Sequence, residues 1–331
     1  MSHSASVDVL VISGAEVRRL LPMIDCIPLV EGAMRTVSRG DAQLPLRISV
    51  SPIGTQNKLV AMPGYLDEPA SMGAKVIAVY PGNARRGLSS HMGVVVLFDV
   101  QQGIPLAMID AASITGMRTA AASAVATRVL SPDDACDLAI VGTGEQAAAH
   151  LHALSLVRRL RSVRVWGRSR DKAKAFVERE ASSVEVRIDV CDHLRDALVG
   201  ADLVCTTTSS REPIVQGAWI ARGAHVNLVG ASTPVAREVD DALVRESSFF
   251  VDYRPSALSQ AGELLGAMGA DAANHIRGEI GEVLNGTVPG RTDEFEITVY
   301  KSLGIAAQDL VTAHEVYRRA KAAGVGVRAQ L

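Results

Sequence analysis

Gly142 and Gly144 stand two residues apart directly after the apolar run 138–141, and Ala147 follows three residues later. In a strand that turns sharply into a helix, this spacing presents free backbone N–H groups and the positive end of the helix to a pyrophosphate. The first glycine permits the turn, the second lets a phosphate approach, and the alanine lets the helix pack on the strand. Ordinary glycine-rich turns share these letters, so the motif predicts a dinucleotide site only when a suitable second strand comes after the helix.

The segment after that helix indicates which dinucleotide is preferred. Residues 163–167 read as a second strand, and its end carries Gly167, Arg168, Ser169 and Arg170 where sites that prefer NAD usually carry an acidic residue. An arginine beside a hydroxyl suits the 2′-phosphate of NADP, because the guanidinium forms charge-assisted and often bidentate hydrogen bonds. The alternative is that both arginines are solvated loop cations. The pattern favours NADP(H) over NAD(H).

Composition limits the classes of function. The chain has 331 residues, of which 48% are hydrophobic and 4% aromatic, and this is typical of a two-domain α/β enzyme. A net charge of −2 gives no support for a nucleic-acid partner. The sequence has no apolar run of membrane-spanning length and no signal-peptide pattern at its start, so we expect a cytoplasmic protein. The scattered cysteines, without a C-x-x-C, predict neither disulfides nor a metal site: Cys26, Cys136, Cys191 and Cys205.

Strand and helix patterns alternate through the second half of the chain. A helix is predicted from Asp171 to Ala181, with Ser169 as its N-cap. Repeated strand–helix units of this length predict a doubly wound parallel sheet, the Rossmann type of α/β domain. The predicted strands are 138–142, 163–167, 184–190, 202–207, 224–229 and 248–252.

The first part of the chain has a different pattern. A helix over 14–38 precedes short strands separated by turn signals, which predict an antiparallel sheet at 47–50, 59–62, 74–80, 93–99 and 105–110. A helix over 113–130 follows, and a last helix over 301–323 is expected to return to the first domain. The predicted organisation is a discontinuous α+β domain for substrate binding and dimerisation, 1–117 with 301–331, and a Rossmann domain over 118–300.

Several segments together resemble the ornithine cyclodeaminase/mu-crystallin family. The resemblance implies a homodimer that pairs its N-terminal sheets, and a Rossmann domain that binds NAD(P)(H). It also implies an activity among ornithine cyclodeaminase, alanine dehydrogenase, ketimine reductase and related amino-acid dehydrogenases. The segments, in chain order, are Met62–Tyr65, Gly73–Val76, Pro81–Asn83, Leu97–Asp99, Arg118–Ala124, Val141–Ala147, Ala201–Asp202, Gly223–Ser232 and Val299–Gly304.

The resemblance implies that Arg47, Lys75 and Arg118 grip the carboxylate of an amino or imino acid. The chemistry agrees, since forked guanidinium donors suit a carboxylate and a lysine adds a third charged bond. Each residue alone has an alternative reading. Lys75 could point outward from its sheet, Arg118 could be a cap or an inter-domain ion pair, and Arg47 could be a surface strand residue.

The resemblance also implies the cofactor-binding residues. Around Gly142, the residues expected to line the pyrophosphate are Gly144, Glu145 and Gln146. Arg168 and Ser169 match the adenosine end of members that use NADPH. The positions that flank the dinucleotide or its nicotinamide are Thr119, Thr206–Thr208, Val229, Ser302 and, more weakly, His91.

One departure from the family pattern directs the choice of activity. Ornithine cyclodeaminases and archaeal-type alanine dehydrogenases carry an aspartate after the fifth strand, where it handles the amine or activates water. This chain has Ser232 there, as mu-crystallin has serine. Without the carboxylate, the δ-amine of ornithine lacks its base.

The sequence therefore predicts NADPH-dependent reduction of a ketimine carboxylate. The leading substrates are Δ1-pyrroline-2-carboxylate and Δ1-piperideine-2-carboxylate, with proline or pipecolate as product. Three alternatives stay open. An amino-acid dehydrogenase would need Ser232 or His91 in the role of the missing aspartate, and a cyclodeaminase would need another base, such as Asp252 or Glu263. The third is a non-enzymatic dinucleotide-dependent binder.

Overall fold

The computed structural model describes residues 7–331, apart from the side chains of Ala84 and Arg85. The chain divides into two compact units. One runs to Arg118 and resumes at Ile305–Leu331, and the other is Thr119–Gly304. The predicted boundaries, 117/118 and 300/301, lie one and four residues from these. Within the described range, no helix is both long and apolar enough to cross a membrane.

The helices and strands follow one another along the chain. In order they are β1 (Asp8–Ile12), α1 (Gly14–Leu20), α2 (Met23–Ser38), β2 (Ala42–Gln43), β3 (Ile48–Val50), β4 (Lys58–Leu66), β5 (Ser71–Val79), β6 (His91–Phe98), β7 (Pro105–Asp110), α3 (Ala111–Leu130), β8 (Asp137–Val141), α4 (Glu145–Ser155), β9 (Ser162–Trp166), α5 (Arg170–Glu180), β10 (Ile188–Val190), α6 (Leu194–Leu198), β11 (Leu203–Thr206), β12 (His225–Leu228), α7 (Asp241–Glu246), β13 (Ser247–Val251), α8 (Arg254–Gln260), α9 (Gly262–Met268), α10 (Ala272–His275), β14 (Ile276–Glu279), α11 (Ile280–Leu284), β15 (Ile297–Lys301), α12 (Ala306–Ala323) and β16 (Val327–Gln330).

The sheet of the first unit has the strand order β16-β1-β7-β6-β5-β4-β2, and β3 also pairs with β4. Strands β3 to β7 pair antiparallel, as predicted. Strand β2, which was not predicted, pairs antiparallel with β4, and β1 lies parallel to β7. The sequence patterns did not predict β1 and β16. Together they extend the sheet beyond β7, so both ends of the described chain contribute to it.

The predicted helix over 14–38 is wrong as a single element. Leu21 is extended, with φ −126° and ψ 95°, and Pro22 continues so, with φ −60° and ψ 150°, which separates α1 from α2. The ring of Pro22 disfavours helical geometry at the residue before it. The predicted start of the last helix is also wrong, because residues 297–301 form β15 and α12 begins at Ala306.

The second unit is a doubly wound parallel α/β domain. Its sheet has the order β10-β9-β8-β11-β12-β15-β13-β14, and all neighbouring strands run parallel. The predicted fold class is therefore confirmed. The predicted strands lie within one residue of the observed ones at each end, except that 184–190 shortens to β10 and that β14 and β15 were not predicted. In such a sheet, ligands bind beyond the carboxyl ends of the strands.

Candidate active site

Strand pairing places Lys75 on the covered face of the first unit's sheet. Met62 on β4 pairs with Lys75, and Lys75 pairs with Val95 on β6, so the three side chains lie in a row on one face. Met62 is 6% exposed, Lys75 2% and Val95 0%. The alternative of an outward-pointing lysine is therefore excluded.

A buried carboxylate lies against this lysine. Asp309 on α12 is completely buried, and its Oδ2 and Oδ1 lie 2.8 and 3.0 Å from Lys75 Nζ. Arg118 on α3 donates from Nε to Oδ1 of the same aspartate at 2.9 Å, and from Nη1 to Gln308 Oε1 at 3.0 Å. Thr115 Oγ1 lies 3.4 Å from Lys75 Nζ. Arg118 is thus part of a buried charge cluster within the first unit rather than a surface cap.

Two paired glycines allow α12 to lie this close to the sheet. Gly64 on β4 pairs with Gly73 on β5. A Cβ built on Gly64 would lie 2.9 Å from the Cβ of Ala306, and one on Gly73 would lie 3.0 Å from Leu310 Cδ2. The first separation is shorter than side chains tolerate and the second is tight, so the two glycines allow α12, which carries Asp309, to pack this close to the sheet.

The charge cluster changes the acidity of Lys75. Burial, followed by repulsion from Arg118, lowers the pKa of the Lys75 ammonium to about 8, although Asp309 acts in the opposite direction. Arg47 also lowers this pKa, so its positive charge is close enough to repel Lys75. Arg47 directly precedes β3 and is half-buried. The structure therefore brings Lys75 and Arg118 together on Asp309, and the charge of Arg47 acts on Lys75 from outside these contacts.

The predicted residue His91 lies further away on the same sheet. It begins β6 and pairs with Val79, four residues along β5 from Lys75. Four strand residues span about 13 Å. The His91 ring is exposed, and its Nδ1 lies 2.9 Å from Ser90 Oγ. Within the first unit, His91 is therefore not part of the charge cluster.

The glycine-rich motif forms the predicted strand–turn–helix in the second unit. Gly142 has φ +131°, and a Cβ there would lie 2.5 Å from Thr207 Oγ1. Gly144 is the N-cap of α4 without a side-chain cap, and a Cβ on it would meet no atom within 4 Å. Glu145 begins α4 and is exposed, and Gln146 carries a buried Oε1 without a hydrogen-bond partner among the described residues. Open space before an uncapped helix end fits a pyrophosphate.

The loop after β9 approaches that turn. A Cβ on Gly167 would lie 2.7 Å from Thr143 Cγ2, so the glycine allows the close approach. Ser169 caps α5 as predicted, accepting a hydrogen bond from Lys172 N at 3.4 Å. Arg170 pairs with Asp192 at 2.7 Å, whereas exposed Arg168 makes no ion pair with any described residue. Of the two loop arginines, Arg168 is thus the one with an uncommitted guanidinium.

Hydroxyl groups predicted to flank the nicotinamide have mixed roles. The hydroxyls of Thr206 and Thr208 donate to buried Glu238 at 2.8 and 2.7 Å, so these side chains fasten the loop after β11. Burial raises the pKa of Glu238. Ser302, just after β15, has a buried hydroxyl without a partner within the described residues. Val229 and Thr119, which are also predicted to flank the dinucleotide or its nicotinamide, are buried.

The acidic residues considered as alternative bases already have partners. Asp252 accepts hydrogen bonds from the Tyr300 hydroxyl and from the backbone N–H of Leu303 at 2.9 Å. Glu263 pairs with fully buried Lys301 at 3.0 Å. Ser232 is half-buried in the loop after β12. Neither acid is a free base that could replace the missing aspartate.

Three side chains that could hold a metal ion lie near the start of β8, at the other end of the strand from the glycine-rich turn. Side-chain ligand atoms of Cys136, Asp137 and Asp202 lie within 4.8 Å of one another. Asp202 Oδ2, however, accepts from the backbone N–H groups of Cys136 and Asp137 at 2.9 Å each, and Asp137 pairs with Arg161. The carboxylates thus bind the protein itself.

Sequence reasoning missed Asp309 and Gln308. Both lie in the buried half of α12 between apolar neighbours, and Gln308 Nε2 has no hydrogen-bond partner among the described residues. A charged residue within the apolar face of a helix was the signal available.

Comparison with known proteins identifies the family of this chain. A model of the ornithine cyclodeaminase/mu-crystallin family matches residues 7–324. The chain is 38% identical to ketimine reductase mu-crystallin of Mus musculus over 294 residues, which cover 88% of this chain and 90% of that protein.

Two solved structures extend the likeness over almost the whole chain. Thermococcus litoralis Δ1-pyrroline-2-carboxylate reductase, in complex with NADH and L-proline, has a TM-score of 0.94 and 34% identity, covering 97% of this chain and 100% of that one. An archaeal alanine dehydrogenase dimer with bound NAD has a TM-score of 0.92 and 30% identity, covering 98% and 99%. The resemblance noted in the sequence is confirmed, and the chain belongs to the ornithine cyclodeaminase/mu-crystallin family.

Proposed function

We propose that this protein reduces a cyclic ketimine carboxylate, Δ1-pyrroline-2-carboxylate or Δ1-piperideine-2-carboxylate, with NADPH. The broader class, an NAD(P)-dependent oxidoreductase acting on a C=N bond, is supported by the likeness to the mouse ketimine reductase and to the Thermococcus litoralis pyrroline-carboxylate reductase with bound NADH. The observation that carries the narrower proposal is the buried cluster in which Lys75 and Arg118 both contact one carboxylate, Asp309, while the charge of Arg47 acts on Lys75.

The charges of this cluster fit an anionic substrate. Two cations, Lys75 and Arg118, contact one buried aspartate, so these contacts leave one positive charge that a substrate carboxylate would neutralise. Arg118 uses Nε and Nη1 for Asp309 and Gln308, and Gln308 Nε2 is a further buried donor. These groups would hold the carboxylate, and Lys75 would lie at the imine end of the substrate.

The reaction needs one hydride and one proton. A bound nicotinamide dinucleotide supplies the hydride that forms the new C–H bond at the imine carbon. The electrons of the C=N double bond then pass to nitrogen, which must carry a proton to become an amine. Lys75 is the candidate to supply or hold that proton, because the lowered pKa of its ammonium lies near neutrality. Ser232, a neutral hydroxyl, leaves the protonated imine without a competing base.

The proposed NADP preference gives the first prediction. Arg168→Ala should weaken NADPH binding roughly 30-fold, about 2 kcal/mol, because a charge-assisted contact to the 2′-phosphate is lost. NADH binding should change less than twofold. Fluorescence titration with both dinucleotides measures this, with Arg187→Ala, a surface arginine paired with Asp189, as the control. Equal losses for NADPH and NADH would exclude Arg168 from phosphate binding.

We further infer a cytoplasmic homodimer. The sheet face opposite Lys75 carries a row of apolar side chains in register, and Ile48, Val50, Leu59 and Met92 are 62%, 61%, 48% and 50% exposed. A contiguous exposed apolar face of this kind marks a protein interface. The archaeal alanine dehydrogenase of the same fold is a dimer.

The dimer gives the second prediction. Val50→Asp should convert the protein to a folded monomer, because it would bury a charge without a partner in the interface. Light scattering after size exclusion measures the mass. Ile24→Asp, at a residue on α2 that is 55% exposed, should leave the mass unchanged. A wild-type monomer would refute the proposed dimer, and a dimeric Val50→Asp protein would exclude this sheet face.

Purified protein with NADPH and each imine carboxylate tests the activity itself. NADPH oxidation and formation of proline or pipecolate are expected at mildly acidic and neutral pH. Ornithine with NAD, followed by ammonia release, is the parallel control. Ammonia formation with inert imines would refute the proposal in favour of cyclodeamination.

A further inference from the structure

Asp309 lies at the centre of the proposed substrate cations. Its carboxylate joins β5 to α3 through Lys75 and Arg118, at distances of 2.8 to 3.0 Å. We propose that Asp309 is a positioning residue for ketimine reduction, which holds Lys75 as an ammonium and fixes the Nε edge of Arg118. This inference rests on the proposed function, because it assigns a role in that reaction.

A buried lysine needs such a partner. Taking an ammonium out of water favours its neutral form, and nearby cations add to this effect. The charged groups that face Lys75 are Arg47 before β3, Arg118 on α3 and Asp309 on α12. The titratable Cys26 of α2, which faces Arg118, stays neutral because burial raises the pKa of its thiol to about 12. Among these groups, Asp309 supplies the negative charge that favours the ammonium.

The same carboxylate orients Arg118. With Nε on Asp309 and Nη1 on Gln308, the guanidinium plane is fixed from one side. Nη2 of Arg118 makes no hydrogen bond to the described residues. A guanidinium already held at Nε and Nη1 loses little conformational freedom when it binds a ligand. Asp309 thus acts through two other residues and need not touch substrate.

Asp309→Asn tests the proposal through the pH profile. Wild-type kcat/KM should fall above about pH 8, as Lys75 loses its proton. Replacing the carboxylate by an amide removes the interaction that raises the pKa of Lys75, so the fall should move to lower pH by at least one unit. At pH 7.5 kcat/KM should drop at least about threefold and partly recover on acidification, and Asp309→Glu should restore part of the wild-type profile.

A readout without turnover separates this proposal from the proposed function. The chain has six lysines, so ¹³C-labelled lysine gives few NMR signals, and Lys75→Arg assigns that of Lys75. Its signal should titrate near pH 8 in the wild type and at lower pH in Asp309→Asn. Thr312→Val, one turn along α12, is the matched control and should change neither measurement. If neither imine is reduced but Asp309→Asn still moves the titration of Lys75 to lower pH, only the proposed reaction is refuted.

Two results would overturn the role of Asp309. One is a Lys75 titration unchanged by Asp309→Asn, and the other is a loss of rate that is equal at every pH. If Asp309→Asn does not fold, the Cγ resonance of Asp309 in the wild type decides instead. It must move while Lys75 titrates, and a constant resonance would contradict a direct pair.

Discussion

Lys75→Ala is expected to lower kcat/KM for imine reduction about 1000-fold. The substitution removes both the candidate proton donor and one of the charges proposed to hold the carboxylate, and a positioned general acid alone contributes about 10²- to 10⁴-fold. NADPH affinity should stay within a few-fold, because the glycine-rich motif proposed to bind its pyrophosphate lies in the other unit. Steady-state kinetics with both imines and NADPH titration measure the two effects.

The control for this variant is Lys321→Ala, which removes an exposed lysine from α12 in the same unit. It should leave kcat/KM unchanged. A Lys75→Ala protein with wild-type turnover would remove Lys75 from the mechanism. A loss of NADPH affinity as large as the loss of kcat/KM would instead indicate damage to the fold. Lys75→Arg keeps the charge but cannot donate its proton near neutral pH, so its rate should also stay low.

The second large effect is expected for Arg118→Lys. Lysine keeps the positive charge but loses the planar fork, so it cannot reach both Asp309 and Gln308 and still present a donor to a ligand. KM for the imine carboxylate should rise roughly 100-fold, about 3 kcal/mol, with a smaller change in kcat. Kinetics at fixed saturating NADPH measure the separation of KM from kcat.

Arg128→Lys on the same helix makes the matched comparison, since this arginine is exposed ten residues later. Its KM should equal that of the wild type. If Arg118→Lys lowers kcat alone, the residue acts after binding and its assignment to the carboxylate clamp is wrong. Thermal unfolding of both variants reports whether the loss of a buried contact also lowers stability.

The sequence could predict those parts of the site that have local signatures. Gly142 and Gly144 are identifiable because a sharp turn and an approaching phosphate both require the absence of a side chain. Lys75 is identifiable because a charge inside an apolar strand is rare. Asp309 could not be assigned in this way, since its role depends on residues more than 190 positions away. Gln308 depends on the same distant partner.

Much of the fold followed from short-range patterns, and the errors have physical causes. Ser169 was predicted as a cap because its hydroxyl and its position before a helix suffice. The break at Pro22 was missed because apolar residues continue through it on both sides. Strand β15 was not predicted, and the last helix was expected to begin at residue 301, because a short apolar run does not by itself distinguish a buried strand from a buried helix segment.

The position of Asp309 in the chain has a consequence for biosynthesis. Lys75 and Asp309 are 234 residues apart, and the whole of the second unit is translated between them. A nascent chain therefore exposes Lys75 and Arg118 long before their counter-charge leaves the ribosome, and the first unit cannot close around them until α12 has been made. We expect the second unit to fold first, and a ribosome stalled before residue 309 should carry a folded α/β domain beside an unfinished, protease-sensitive sheet.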